Sequence, residues 1–206
     1  MSGLTLNLSA ENDTFPVIIL RYTTPADWAE TVLADFDHFL LDHAAAEKKA
    51  AGMAISMASH YPDKPELVEA MADLAVEEMS HYREVVKLIH TRGGLTAADE
   101  RDPYVNQLRK HLRKGSEAYF LDRLLLGGVI EARGAERFGL IADAASDEPI
   151  KRFYTSISRS EERHRTLFTD LACRYFPASV VDARLGEWLD IEAEIASSQP
   201  LRAALH

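Results

Sequence analysis

Cysteine is almost absent from this 206-residue chain, which contains only Cys173. A disulfide within the chain is therefore impossible, and a cysteine-rich zinc or iron–sulfur site is excluded. Only eight residues are proline. Hydrophobic residues make up 47% of the chain and charged residues 27%, a composition that argues against disorder. The length suits one domain with a substantial core and is short for two, so we expect a single domain over residues 1–206.

Targeting and membrane signals are also missing from the sequence. Residues 1–6 contain no lysine or arginine ahead of a hydrophobic stretch, unlike a signal peptide. The longest strongly apolar run, 124–130, is far too short to span a bilayer. These absences predict a cytoplasmic protein without a membrane segment. The formal net charge of −10 is not typical of a nucleic-acid-binding chain taken as a whole.

Hydrophobic residues recur at three- and four-residue steps through most of the chain, and no useful stretch alternates with a period of two. Residues 1–23 lack this periodicity and predict an extended arm. The predicted long helices cover 24–59, 63–93, 116–144 and 147–177, with a short helix near 104–112 and a final helix over 179–195. Two helix pairs joined by one long crossover predict an all-α, ferritin-like four-helix bundle with an extra C-terminal helix.

The motif Glu-x-x-His occurs twice, at Glu78–His81 and at Glu161–His164. Random placement of the glutamates and histidines would give roughly 0.7 matches, so the motif alone means little. Each motif, however, follows a glutamate one helix earlier at nearly equal spacing, Glu47 by 31 residues before Glu78 and Glu131 by 30 before Glu161. Positions i and i+3 share a helix face, so each motif directs a carboxylate and an imidazole to one point.

Four inward carboxylates and two imidazoles are the ligand set of a dinuclear iron or manganese site in a four-helix bundle. Glu47 and Glu131 both lie in apolar surroundings, where an unpaired carboxylate would be costly and divalent cations would offset that cost. We expect Glu47 and His81 to bind one metal ion and Glu131 and His164 the other. Glu78 and Glu161 would bridge the two ions. The spacing does not distinguish iron from manganese.

Small residues flank one of these ligands. Gly127, Gly128, Gly134 and Ala135 lie three or four positions from Glu131 on the same helix. They indicate either a cavity beside the metal ions or a close approach of two helices, and the sequence favours neither. His43 lies one turn before Glu47 and could either support the site or be a buried core histidine. Tyr154 lies seven residues before Glu161 and could either form a hydrogen bond near the site or only pack there.

A dense basic cluster lies in the crossover of an otherwise acidic chain. It comprises Arg109, Lys110, Arg113 and Lys114. The cluster predicts contacts with RNA phosphates on one face of the protein. The alternative is a solvated patch paired with acids such as Asp102 and Glu117.

Three segments, 42–50, 77–82 and 160–164, resemble the bacterial tRNA 2-methylthio-isopentenyladenosine hydroxylase family. The resemblance extends from about Thr24 through the fourth helix and beyond. It implies a ferritin-like fold, two iron ions held by the six ligands named above, and dioxygen as co-substrate. It also implies hydroxylation of the isopentenyl group of a modified adenosine beside the anticodon of tRNA. A separate reductase would supply electrons, because the chain has no Gly-rich dinucleotide-binding motif.

Two other functions fit a dinuclear carboxylate site in a helical bundle. One is iron binding or storage of the ferritin class, which requires a hollow multimer. The other is a di-iron oxygenase acting on a small hydrophobic molecule. The sequence does not indicate the oligomeric state.

Overall fold

The computed structural model of the protein describes residues 16–206. Within this range the chain is helical and contains no strand. Its helices are α1 (Ala26–Ala34), α2 (Phe36–His60), α3 (Pro65–Thr91), α4 (Pro103–Leu108), α5 (Ser116–Ala144), α6 (Glu148–Tyr175) and α7 (Ala178–Ser198). A 3-10 turn, Arg109–His111, follows α4. None of these helices is long and apolar enough to cross a membrane.

The bundle is made from two helical hairpins. Helix α2 packs along α3, and α5 packs along α6. Residues 92–115, which include α4 and the 3-10 turn, form the single long connection between the hairpins, while α7 packs on α5 and α4. The predicted all-α, ferritin-like bundle with one crossover and an extra C-terminal helix is therefore confirmed.

Several predicted helix ends differ in the structure. The helix predicted over 24–59 is broken at Asp35, whose φ of −130° is not helical, so α1 and α2 are separate. Thr24 does not cap α1, because Pro25 occupies the N-cap position. The Thr24 hydroxyl instead donates a 2.7 Å hydrogen bond to the Glu136 carboxylate. Gly115, with φ +97°, occupies the N-cap of α5, and Ser116 is the first residue of that helix. Asp147 does cap α6, accepting a 2.9 Å hydrogen bond from the Ile150 N–H.

The predicted N-terminal arm is only partly within the described range. Residues 1–15 lie outside it, and residues 16–23 form no helix or strand. Ile18 is nevertheless buried in the core, and its carbonyl accepts a 3.2 Å hydrogen bond from Arg165 on α6. The described part of the arm is thus packed against the bundle.

Two hydrophobic clusters fill the interior, one at each end of the bundle. The first contains Leu67, Leu125 and Phe168, and it joins the second half of α2 to the first halves of α3 and α5. The second contains Phe39 and Phe138 and lies at the opposite end. Each of α2, α3, α5 and α6 contributes to both clusters, so the residues midway along these helices form a layer between them.

Candidate metal centre

Four glutamates and two histidines occupy the layer between the two hydrophobic clusters. They are Glu47 on α2, Glu78 and His81 on α3, Glu131 on α5, and Glu161 and His164 on α6. Five of the six residues are at most 5% exposed, and only His81 is partly open. The structure therefore brings together all six residues that the sequence grouped.

These six residues form two overlapping groups of potential ligands. Glu47, Glu78, His81 and Glu161 each place one ligand atom within 4.8 Å of the others. Glu78, Glu131, Glu161 and His164 do the same. Glu78 and Glu161 belong to both groups, which is the arrangement expected of carboxylates that bridge two ions.

Both imidazoles turn the Nδ1 atom toward the carboxylates. Nδ1 of His164 lies 2.9 Å from Glu78 Oε1 and 3.6 Å from Glu131 Oε2. Nδ1 of His81 lies 3.3 Å from Glu78 Oε2 and 3.7 Å from Glu47 Oε2. The ring centroids are 6.0 Å apart. Each histidine can thus donate a lone pair toward a point shared with three carboxylates.

The carboxylates give the layer a strong affinity for positive charge. Burial opposes protonation of His81, but the Glu47 and Glu78 carboxylates outweigh it and raise the pKa of His81 to about 9. For Glu161, burial raises the pKa well above its usual range, and the nearby Glu131 raises it further. The site therefore binds protons or cations that offset the four crowded carboxylates.

A further glutamate, Glu77, supports both histidines from the outer side. Its Oε2 lies 3.2 Å from Nε2 of His164, and its Oε1 lies 4.0 Å from Nε2 of His81. Ser160 and Arg163 donate hydrogen bonds to the same carboxylate. Glu77 was not among the predicted site residues, although its position one turn before His81 places it on the same helix face.

Behind Glu47 lies a short chain of buried polar groups. Nε2 of His43 lies 2.6 Å from Glu47 Oε1, and Nδ1 lies 3.1 Å from the Tyr154 hydroxyl. Since a carboxylate only accepts, His43 donates to Glu47 through Nε2–H, and Nδ1 of a neutral ring then accepts from Tyr154. Burial raises the pKa of Tyr154 well above its usual range, so this hydroxyl keeps its proton. His43 thus orients Glu47.

The small residues around Glu131 do not share one environment. A Cβ on Gly127 would lie 2.8 Å from the Phe168 ring, and one on Gly128 would lie 2.8 Å from Ile18. At these two positions the second of the two sequence interpretations applies, close packing, because Phe168 and Ile18 fill the space. A Cβ on Gly134 would meet Glu161 at 3.8 Å, so this glycine lies beside the site. Ala135 is buried and its carbonyl accepts from Ser158.

The basic cluster of the crossover lies apart from the six residues. Arg109, Lys110 and Lys114 are exposed. Arg113 instead directs its guanidinium to the fully buried Asp122, at 2.8 Å, and shares that carboxylate with Arg184. Arg113 is thus partly committed to a structural ion pair, while the RNA contact predicted for the whole cluster stays a prediction.

Buried polar atoms in the layer indicate that it is built for cations. Oε1 of Glu78, Oε1 of Glu161 and both nitrogens of His164 are buried without a well-formed hydrogen bond. Such atoms are costly in a protein interior unless a ligand satisfies them. Carboxylate oxygen and imidazole nitrogen are the donors that iron and manganese prefer. The residues present therefore fit a pair of bound metal ions.

Comparison with known proteins places these features in a family. Residues 14–206 match the family described as tRNA-(MS2IO6A)-hydroxylase (MiaE). A curated relative from Pseudomonas putida, tRNA 2-(methylsulfanyl)-N(6)-isopentenyladenosine(37) hydroxylase, is 35% identical over 82% of this chain and 80% of its own length. The protein of the same name from Salmonella typhimurium is 29% identical over 68% of this chain and 52% of its own.

A solved structure shares the whole architecture. It is Protein 43 with aldehyde deformylating oxygenase activity from Synechococcus, with a TM-score of 0.86 and 33% sequence identity. The match covers 92% of this chain and 96% of that chain. The helical frame of the chain is thus similar to that of an oxygenase.

Proposed function

The chain belongs to the tRNA-(MS2IO6A)-hydroxylase family, and on this premise we propose that it hydroxylates the isopentenyl group of 2-methylthio-isopentenyladenosine beside the anticodon of tRNA. The observation that carries the proposal is the pair of overlapping ligand groups, which share Glu78 and Glu161. A hydroxylase of this class needs two metal ions held close together in a dry interior, and the six residues offer that arrangement.

We propose iron as the metal and dioxygen as the co-substrate. Glu47 and His81 would hold one iron ion, Glu131 and His164 the other, with Glu78 and Glu161 between them. Two bound iron ions supply the redox chemistry that places one oxygen atom into a C–H bond, while the second oxygen atom leaves as water with two electrons and two protons. An external reductase must deliver those electrons. A tRNA substrate would also place the reaction in the cytoplasm.

The protein itself would position and shield the reacting groups. Glu77 faces the outer nitrogens of both imidazoles, at 3.2 Å for His164 and 4.0 Å for His81, and His43 fixes the orientation of Glu47. The hydrophobic clusters above and below the layer exclude water from the ligands. The side chain of His81 is 13% exposed, against 4% for His164, so the substrate would approach from the His81 side.

The direct test is nucleoside analysis of tRNA by mass spectrometry. Purified protein loaded with iron is given tRNA that carries the modified adenosine, together with dioxygen and a reductant. We expect the hydroxylated nucleoside to appear with the wild type and to be lost with Glu78→Ala. The control is Glu84→Ala on the same helix, since Glu84 lies outside both ligand groups. Unchanged nucleosides with the iron-loaded wild type would refute the proposal.

A second candidate is oxidation of a small hydrophobic molecule. It is favoured by the solved oxygenase structure, which is described by aldehyde deformylating activity and is about as similar in sequence as the Pseudomonas relative. Turnover of a hydrophobic aldehyde in the same assay, without any change in tRNA, would establish this alternative.

A further inference from the structure

A groove between α3 and the first half of α6 reaches the candidate metal centre. Its inner wall includes Glu77 and His81, and its volume is about 510 Å³. The wall that α6 provides carries four cations, namely Lys151, Arg152, Arg159 and Arg163. A volume in this range accommodates a small ligand or a nucleotide base. The groove is therefore a route from the surface to the most exposed of the six residues, His81.

The groove has an excess of positive charge. Among residues 16–206, only two carboxylates, Glu77 and Glu148, stand against its four cations. Arg163 contacts Glu77 at 2.6 Å, and Arg152 contacts Glu148 at 3.3 Å in a pair that is about two-thirds exposed. Such an exposed pair opens easily to another anion.

Two of the cations have no acidic partner. Lys151 and Arg159 are exposed, and no ion pair involving either occurs within the described residues 16–206. The hydroxyls of Thr155 and Ser156 lie in the same groove. In a chain whose net charge is −10, this local excess of unpaired cations indicates an anionic ligand.

Three of the four cations follow one line along α6. Arg152, Arg159 and Arg163 are separated by seven and four residues, which keeps them on one face of the helix. At 1.5 Å per residue the line is about 17 Å long. A row of cations of this length matches several successive phosphates of a nucleic-acid strand better than one small anion.

The basic crossover is less well placed to present a base to the same centre. It lies next to the start of α5, and Ser116 is separated from Glu131 by about 22 Å along that helix at 1.5 Å per residue. Phe120 near this end packs against Tyr175 at the last turn of α6. The groove, by contrast, is formed by the beginning of α6, so the two basic surfaces lie toward opposite ends of the α5–α6 hairpin.

We propose that the α6 groove binds the phosphates of the tRNA strand on either side of the modified adenosine, and that the base enters beside His81. This inference rests on the proposed function, because it takes tRNA as the substrate. Phosphate contacts position a strand without reading its sequence, and an unpaired loop base can turn into a pocket at modest cost. Lys151 and Arg159 are the contacts that the protein offers without breaking an existing ion pair.

The test compares two double charge reversals in the full-length, metal-loaded protein. Lys151→Glu with Arg159→Glu changes the groove, and Arg109→Glu with Lys110→Glu makes the same charge change in the crossover. All four side chains are exposed, so both variants should fold, which circular dichroism and metal content will verify. Affinity for tRNA carrying the modification is measured by fluorescence anisotropy over a series of salt concentrations.

For the groove variant we expect Kd to rise about ten-fold or more, and the slope of log affinity against log salt to fall by about 1.4, because two phosphate contacts are lost. The crossover variant should stay within about two-fold of the wild type. Hydroxylation of the free modified nucleoside, which has no phosphates, should be equal in all three proteins.

Normal tRNA affinity in the groove variant, or a larger loss in the crossover variant, would overturn the inference while leaving the proposed function intact. A wild type that binds tRNA but oxidises neither tRNA nor the nucleoside would refute the proposed function and leave the groove as an RNA-binding site. A wild type with no measurable tRNA affinity would refute both.

Discussion

The Oε2 atom of Glu77 lies 3.2 Å from Nε2 of His164, on the side of the ring that faces away from the other carboxylates. The same carboxylate reaches to 4.0 Å from Nε2 of His81. One side chain on α3 therefore supports the imidazoles of two different helices. Ser160 and Arg163 hold this carboxylate in turn, and their hydrogen bonds, together with His164, keep the pKa of Glu77 below its usual value despite burial.

We predict that Glu77→Gln weakens metal binding about 10- to 100-fold, since histidine ligands depend on the group that fixes their outer nitrogen. Glutamine keeps the size but loses the negative charge that both imidazoles face. Binding of Co²⁺ can be followed by its visible absorption during titration of the metal-free protein. Glu84→Gln on the same helix is the matched control and should bind like the wild type. Equal affinity in both variants would exclude a supporting role for Glu77.

The overlap of the two ligand groups predicts that the number of metal ions bound per chain depends on which glutamate is removed. Glu78 belongs to both groups and Glu47 to one. We expect Glu78→Ala to hold almost no metal, whereas Glu47→Ala should keep about one ion of two per chain. Elemental analysis after dialysis measures the difference. If both variants kept the same amount of metal, Glu78 would not bridge the two ions.

The metal ligands were predictable because their signal is local and repeated. Two Glu-x-x-His motifs, each with a glutamate one helix earlier, define helix faces that can converge only in a bundle. The break at Asp35 was not predictable in this way, since no glycine or proline marks it. Across the break, Trp28 of α1 packs edge-on against Phe39 of α2 at 6.3 Å, a tertiary contact that no sequence pattern encodes.

Long-range partners explain the other differences from the sequence analysis. His206 lies in no motif of the sequence, yet it is 7% exposed and contacts Asp102 at 3.0 Å across 104 residues. Arg113 was grouped with its basic neighbours, but Asp122 on the next helix binds it. The spacing of Arg152, Arg159 and Arg163 is visible in the sequence and places them on one helix face. Their position in a groove beside His81 becomes apparent only in the structure.

The contact between Asp102 and His206 predicts a pH-dependent contribution to stability. Burial raises the pKa of Asp102, but His206 and the Val105 N–H outweigh it and hold the pKa at about 2. Because the folded pKa lies below the ordinary value of about 4, the stabilisation is present above about pH 4 and is lost as pH falls toward 2.

We therefore expect Asp102→Asn to lower the free energy of unfolding by up to about 2 kcal/mol at pH 7 and by clearly less at pH 3. Asparagine can still cap α4, so the helix itself is kept. Urea unfolding of metal-free protein at the two pH values measures the effect. Asp63→Asn, at an exposed position, should change little at either pH. A loss at pH 7 that persisted undiminished at pH 3 would contradict the assignment.

A buried ion pair fixes α7 to the bundle. Arg133 on α5 and Glu192 on α7 are both fully buried and lie 2.8 Å apart, and the Tyr104 hydroxyl donates to the same carboxylate at 3.0 Å. Glu192→Gln would leave the buried Arg133 with Glu136 as its remaining acidic partner, so the change should cost about 2–3 kcal/mol of unfolding free energy. Glu148→Gln, which breaks an exposed pair with Arg152, should cost less than about 1 kcal/mol. Similar losses in both variants, measured by denaturant unfolding, would show that burial does not set the energy of these pairs.

Two glycines on α5 should respond to alanine in opposite directions. A Cβ on Gly127 would come within 2.8 Å of the buried Phe168 ring, which has no room to move, so Gly127→Ala should lower the free energy of unfolding by about 1–3 kcal/mol. At Gly134 the nearest atoms lie at 3.8 Å, an ordinary contact. There the higher helix propensity of alanine should stabilise the protein by up to about 1 kcal/mol. Thermal unfolding of the two metal-free variants separates these effects, and a stabilised Gly127→Ala would show that Phe168 can yield and that the close approach of α5 and α6 does not require glycine.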